Sequence, residues 1–146
     1  FNDMKERHAS AVLTQQAGLI AARVQYDKGQ ADAAKASLGW VAEHAGEDEY
    51  RAIARLRLAG VLLDAKDHAG ALKALEPVTA KEFAGLAADR RGDVLLAQGK
   101  ADEARAAYKA AYAAMDDKTD YRRMVEVKLT ALAAPPAAAA ASGAAK

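Results

Sequence analysis

A nine-residue pattern occurs three times along this chain. Tyr26-Asp27-Lys28-Gly29-Gln30-Ala31-Asp32-Ala33-Ala34 superposes on Leu63-Asp64-Ala65-Lys66-Asp67-His68-Ala69-Gly70-Ala71, and both superpose on Leu96-Ala97-Gln98-Gly99-Lys100-Ala101-Asp102-Glu103-Ala104. Each copy ends on a small residue (Ala34, Ala71 or Ala104). A large one follows four positions later (Leu38, Leu75, Tyr108), and a further apolar one three after that (Val41, Val78, Ala111). Ala34 and Ala71 are 37 residues apart, and Ala71 and Ala104 are 33 apart. A small residue at a helix crossing lets two backbones approach, and the large one fills the groove against the next pair. A period of this length predicts stacked helix pairs, and three repeats are about the minimum for independent stability. A plain helical bundle competes with this reading, because any tight helical hairpin needs a small residue at its crossing.

Composition supports helix throughout. Alanine supplies 41 of the 146 residues, whereas Val, Ile and Thr together supply 14. Strong helix formers therefore outnumber the β-branched residues that favour sheet. Lys and Arg number 21 against 20 Asp and Glu, a net charge of +1. That balance argues against a nucleic-acid binder or a polybasic membrane module, which need surplus positive charge. Cysteine is absent, which excludes disulfides, thiolate metal sites and a cysteine nucleophile. No stretch approaches the roughly 20 apolar residues of a membrane span, and Phe1-Asn2-Asp3-Met4-Lys5-Glu6-Arg7 lacks the apolar run of a signal peptide. A start at Phe1 reads as a fragment whose natural N-terminus has been removed.

Punctuation predicts seven helices. The first runs from about residue 11 to Lys28-Gly29, the second from about Gln30 to Ala45, and the third from the acidic run Glu47-Asp48-Glu49 to about Lys66. Negative charge suits that third start. A fourth covers about 69–76 and is broken by Pro77. Thr79-Ala80-Lys81-Glu82 has the capping-box pattern that opens a fifth, ending at Gln98-Gly99. A sixth spans about 101–115. Asp117 is expected to cap a last helix over 118–133, whose Tyr121, Met124, Val125, Val127 and Leu129 would cover the end of the stack. The expected architecture is all-α, a tetratricopeptide-like stack of about three helix pairs with a C-terminal capping helix. It occupies residues 1–134, followed by a disordered Ala/Pro-rich tail over 135–146.

No catalytic constellation emerges. His8, His44 and His68 lie far apart and read as surface residues, so no metal or other cofactor is expected. Ser10, Ser37 and Ser142 have no strand–elbow–helix context. Residues 85–92 lack the lysine and the preceding strand of a phosphate loop. Arg91-Gly92-Asp93 spells an adhesion tripeptide but falls inside a predicted helix. What remains is surface. In a tetratricopeptide stack the first helix of each pair lines a concave face, and the register places Leu19, Arg23, Tyr26 and Asp27 there from the first repeat. The second contributes Ile53, Leu56, Gly60 and Leu63, and the third Leu86, Asp89, Asp93 and Leu96, with both aspartates exposed. Such a mixture of apolar and charged groups suits a protein-binding groove. The leucines can equally pack against a neighbouring pair. Trp40, the only tryptophan, is expected in the core between repeats.

Three segments resemble a known family. Leu38-Gly39-Trp40-Val41-Ala42-Glu43-His44-Ala45, the run from Asp48 to Ala59 and the run from Asp89 to Lys100 are similar to the YfgM family, tetratricopeptide-like ancillary subunits of the bacterial Sec translocon. The resemblance covers about residues 10–132. It implies the periplasmic domain of an inner-membrane protein whose anchor helix lies upstream. It also implies the SecYEG channel and periplasmic chaperones, the prolyl isomerase PpiD among them, as partners, and a non-catalytic role in handing translocated chains to them. It carries no residue-level binding signature. A soluble cytosolic tetratricopeptide adaptor that binds a peptide or partner helix is the alternative.

Overall fold

The computed structural model describes residues 1–9 and 11–133. Ser10 and the tail expected over 135–146 lie outside the described residues. Eight helices and no strand form among the described residues: α1 (Asn2–Arg7), α2 (Val12–Asp27), α3 (Ala31–His44), α4 (Asp48–Asp64), α5 (His68–Leu75), α6 (Lys81–Ala97), α7 (Ala101–Ala114) and α8 (Asp120–Ala133). Each helix from α3 to α8 packs on the one before it, and the first helices of successive pairs also touch, α2 with α4 and α4 with α6. The fold is therefore the expected stack of three pairs, α2–α3, α4–α5 and α6–α7.

The three turns inside the pairs are one structure repeated. The N–H of Gln30 donates to Gln25 O and that of Gly29 to Tyr26 O, each at 2.8 Å. Asp67 to Leu62 (2.9 Å) with Lys66 to Leu63 (2.8 Å), and Lys100 to Leu95 (3.0 Å) with Gly99 to Leu96 (2.9 Å), reproduce the same bonds. This is a Schellman closure, which needs a left-handed residue at its centre. Gly29 and Gly99 supply it at φ 75° and 78°, and Lys66 adopts φ 62° with a side chain. In the middle turn Asp67 helps to restart the chain by accepting from the Gly70 N–H at 2.9 Å.

The crossing alanines behave as their spacing predicts. Ala34, Ala71 and Ala104 are fully buried, as are Val41 and Ala111, while Leu38, Leu75, Val78 and Tyr108 are nearly so. A second set of small residues faces them from the first helices: Ala22, Ala59 and Gly92 are buried twelve positions before each alanine. A Cβ on Gly92 would sit 2.4 Å from the Tyr108 ring. The ring of α7 thus lies directly on the α6 backbone. Gln25, where an aromatic would be usual, instead accepts a bond from the Ser37 hydroxyl at 2.8 Å and ties α2 to α3. Arg51 and Arg55 of α4 donate to the last carbonyls of α3, Ala45 O at 2.9 Å and Ala42 O at 3.1 Å, joining the first pair to the second.

Helix starts differ from expectation in two places. The Thr79 capping box does not form: α6 opens from Ala80 in extended conformation, with no side-chain cap bond. Nor does Asp117 cap the last helix. The Asp116 carboxylate accepts from the Lys118 N–H at 2.9 Å and shapes the turn, while Asp117 pairs with Arg122 further on. The capping helix itself is present, but Val125, Leu129 and Leu132 make its buried face, whereas Met124 and Val127 point outward. The short α1 has no counterpart among the expected helices. Its flanking Phe1 packs edge-on to Trp40 at 5.5 Å and His44 stacks on that ring at 5.0 Å, so Trp40 meets the N-terminal segment and His44 as well as the core between repeats.

Lys66 carries a cost that Gly29 and Gly99 avoid, because a left-handed residue with a Cβ is disfavoured by roughly 1–2 kcal/mol. Lys66→Gly is expected to raise stability by up to about 1 kcal/mol after the added chain entropy of glycine, read as a higher urea midpoint. A lower midpoint would mean that the Lys66 side chain makes a stabilising interaction outweighing the strain.

Candidate functional site

The concave side holds a cleft of about 320 Å³ where α2, α4 and α6 line up. Ala22, Leu38 and Val61 form its apolar floor, and Arg23, Tyr26, Arg57, Gly60, Asp64 and Arg90 its rim. The turn of the helix brings Arg23 and Tyr26 to one face because they are three residues apart, and the same spacing joins Arg57 to Gly60 and Val61 to Asp64. The Tyr26 hydroxyl donates to the Asp64 carboxylate, linking the first pair to the second. That bond, and the charge of Asp64, favour the protonated phenol and push the Tyr26 hydroxyl above its ordinary pKa. Arg23 Nε lies 2.8 Å from Asp27 in an exposed pair along α2. A pair so exposed is weak and easily exchanged for a ligand. The absent Cβ at Gly60 leaves the middle of the rim low, with the Arg90 guanidinium about 4.0 Å from where that carbon would be.

Of the residues expected on this face, Arg23, Tyr26 and Gly60 line the cleft and Asp27 stands beside it. Leu19 does not: it is buried with Leu38, Val41 and Val61 in the seam between the first and second pairs. Ile53 packs against that same cluster, while Leu56 and Leu63 pack against Ala59, Ala71, Leu75 and Val94. Their burial in the stack outweighs exposure in the groove, as apolar area demands. Leu86 lines a separate cleft of about 510 Å³ between α6, the end of α7 and the start of α8. Leu96 is exposed near the last Schellman turn.

Asp89 and Asp93 are the largest departure. Both were expected to be exposed, yet Asp89 is 1% exposed and Asp93 is half-buried. The capping helix covers them. Lys128 Nζ donates to Asp89 at 2.8 and 3.0 Å and to Asp93 at 2.7 Å, and the Tyr121 hydroxyl donates to Asp89 at 2.8 Å. The Tyr108 hydroxyl completes the group with a 2.8 Å bond to Asp93. Burial, and then the bonds to Asp93 and Asp89 respectively, push the Tyr108 and Tyr121 hydroxyls up. Burial alone would lower the Lys128 ammonium, but its bonds to the two carboxylates outweigh that and raise it. The two aspartates therefore fasten α8 to α6 and are not free to meet a partner.

Among the described residues no three His, Asp or Glu side chains converge as a metal site requires. A family of tetratricopeptide repeat-like domains matches residues 1–134. The chain belongs to that family. Among its relatives, an ancillary SecYEG translocon subunit of Neisseria gonorrhoeae is 32% identical over 132 residues, 90% of this chain and 63% of the relative. An ancillary SecYEG translocon subunit of Escherichia coli is 33% identical over 94 residues, 64% of this chain and 46% of the relative. The chain thus spans less than two thirds of either relative. These likenesses agree with the YfgM resemblance carried by residues 10–132. No solved structure matches the chain.

Within this repeat family, Arg57 and Arg90 are the rim groups that sequence reasoning missed. A signal was present, since Arg57 lies three residues before the expected Gly60 and Arg90 beside Asp89. Lys128 carried no signal, because its partners lie 39 and 35 residues away.

Asp89→Ala is expected to lower stability by about 3 kcal/mol, because it leaves the partly buried Lys128 short of a counter-charge. Chemical denaturation checks this, and a change below about 1 kcal/mol would show that the carboxylate does not hold the capping helix.

Proposed function

We propose that this protein is a non-catalytic interaction scaffold of the Sec export machinery. In this reading it is the periplasm-facing repeat domain of an accessory subunit anchored in the inner membrane, and it docks protein partners at the SecYEG channel and passes translocated chains to periplasmic chaperones such as PpiD. The names of the two relatives support the translocon link. The observation that carries the scaffold role is the open cleft of about 320 Å³, shared by the first helices of all three pairs. A cleft built from three successive repeats holds an extended segment and reads several of its side chains at once. Its mix of an apolar floor, one tyrosine and charged rim groups is the composition of a protein-binding surface. None of the described helices is long and apolar enough to cross a membrane. In this account the anchor belongs to sequence outside them.

Photocrosslinking in cells tests this. A photoreactive residue in place of Arg23, on the concave side, is expected to give adducts containing a translocon subunit or a periplasmic chaperone. The same residue in place of Lys73, on the outer helix α5, is expected to give few. Equal adducts from both positions, or adducts holding neither class of partner, would contradict the reading.

A further inference from the structure

The rim of the concave cleft is unevenly charged. Three arginines reach it, one from the first helix of each pair, against the single carboxylate of Asp64. That carboxylate is already engaged by the Tyr26 hydroxyl. Arg57 is exposed and has no hydrogen bond or ion pair among the described residues. Arg90 lies 3.7 Å from Asp93, whose carboxylate is held more tightly by Lys128 at 2.7 Å. Arg23 is tied only to the exposed Asp27. All three guanidiniums therefore have donors to spare, around a floor of Ala22, Leu38 and Val61 that takes an apolar side chain.

We infer that the cleft between α2, α4 and α6 docks an extended segment of a partner protein in which carboxylates flank an apolar side chain. Guanidinium forks bind carboxylates through paired, charge-assisted hydrogen bonds, and arginine is the residue suited to that geometry. Successive side chains of an extended segment alternate in direction. One apolar residue can then enter the floor while acidic residues on either side meet Arg23, Arg57 and Arg90. A basic segment is repelled by the same rim, so the charge also selects between partners. The inference deepens the scaffold reading and rests on it.

The test uses the 146-residue chain and three fluorescent octapeptides, alternating Asp with Leu, Ser with Leu and Lys with Leu. The acidic peptide is expected to bind at least tenfold more tightly than the other two, and to weaken several-fold when salt rises from about 50 to about 300 mM, as screened charge pairs do. Arg57→Glu is expected to abolish that preference, whereas Arg123→Glu on the exposed side of α8 leaves it intact. Equal affinity for the acidic and serine peptides overturns the inference, and so does acidic binding that survives Arg57→Glu. A parallel recovery of detergent-solubilised SecYEG separates the two claims. Recovery of the channel without preference for the acidic peptide leaves the scaffold reading standing and ends this inference. Acidic preference without recovery does the reverse.

Discussion

The stack depends on how closely the two helices of each pair approach. That distance is set by two small residues twelve positions apart, Ala22 with Ala34, Ala59 with Ala71 and Gly92 with Ala104. All six are buried. A larger side chain at any of them would push the backbones apart and displace the large residue that follows, Leu38, Leu75 or Tyr108. Because interiors are close-packed, such a shift cannot be absorbed locally. The cleft inherits its shape from this constraint: its floor includes Ala22 and Leu38, two members of the first crossing.

Polar interactions tune what packing permits. Between the first and second pairs, Arg51 and Arg55 hold the carbonyl end of α3, and Tyr26 reaches Asp64 across the concave side. At the far end the stack would expose the apolar flank of α6 and α7. Helix α8 covers it with Val125, Leu129 and Leu132, and the Lys128 clasp on Asp89 and Asp93 fixes its position. Removing one partner from a buried pair of this kind costs far more than the intact pair contributes, because the other charge is left uncompensated. By engaging Asp89 and Asp93, the clasp also leaves Arg90 only a long 3.7 Å pair with Asp93, so its guanidinium adds to the positive bias of the cleft.

Much of this was readable from residue spacing. Helices α2 to α8 were expected within a few residues of their observed ends, because Gly29, Gly99 and Pro77 punctuate them and Ala34, Ala71 and Ala104 recur in register. Even Lys66, at the position where glycine is usual, adopts the left-handed conformation its place in the repeat demands. Local signals failed where tertiary contact decides. The six residues of α1 are too few to show a period. Thr79 and Asp117 carried capping patterns, but the chain enters α6 and α8 by other routes. Leu19, Leu56 and Leu63 share a helix face with true rim residues, and only the position of the neighbouring pair turns them inward. Asp89 looked like a solvated charge because nothing in its own helix announces Lys128.

Partners are expected to meet the side formed by α2, α4 and α6. Hydrogen–deuterium exchange of the chain, with and without detergent-solubilised SecYEG, measures this most directly. Slowed exchange concentrated in α2, α4 and α6 is the predicted result. Slowing confined to α3, α5 and α7, with the concave helices unchanged, would contradict it.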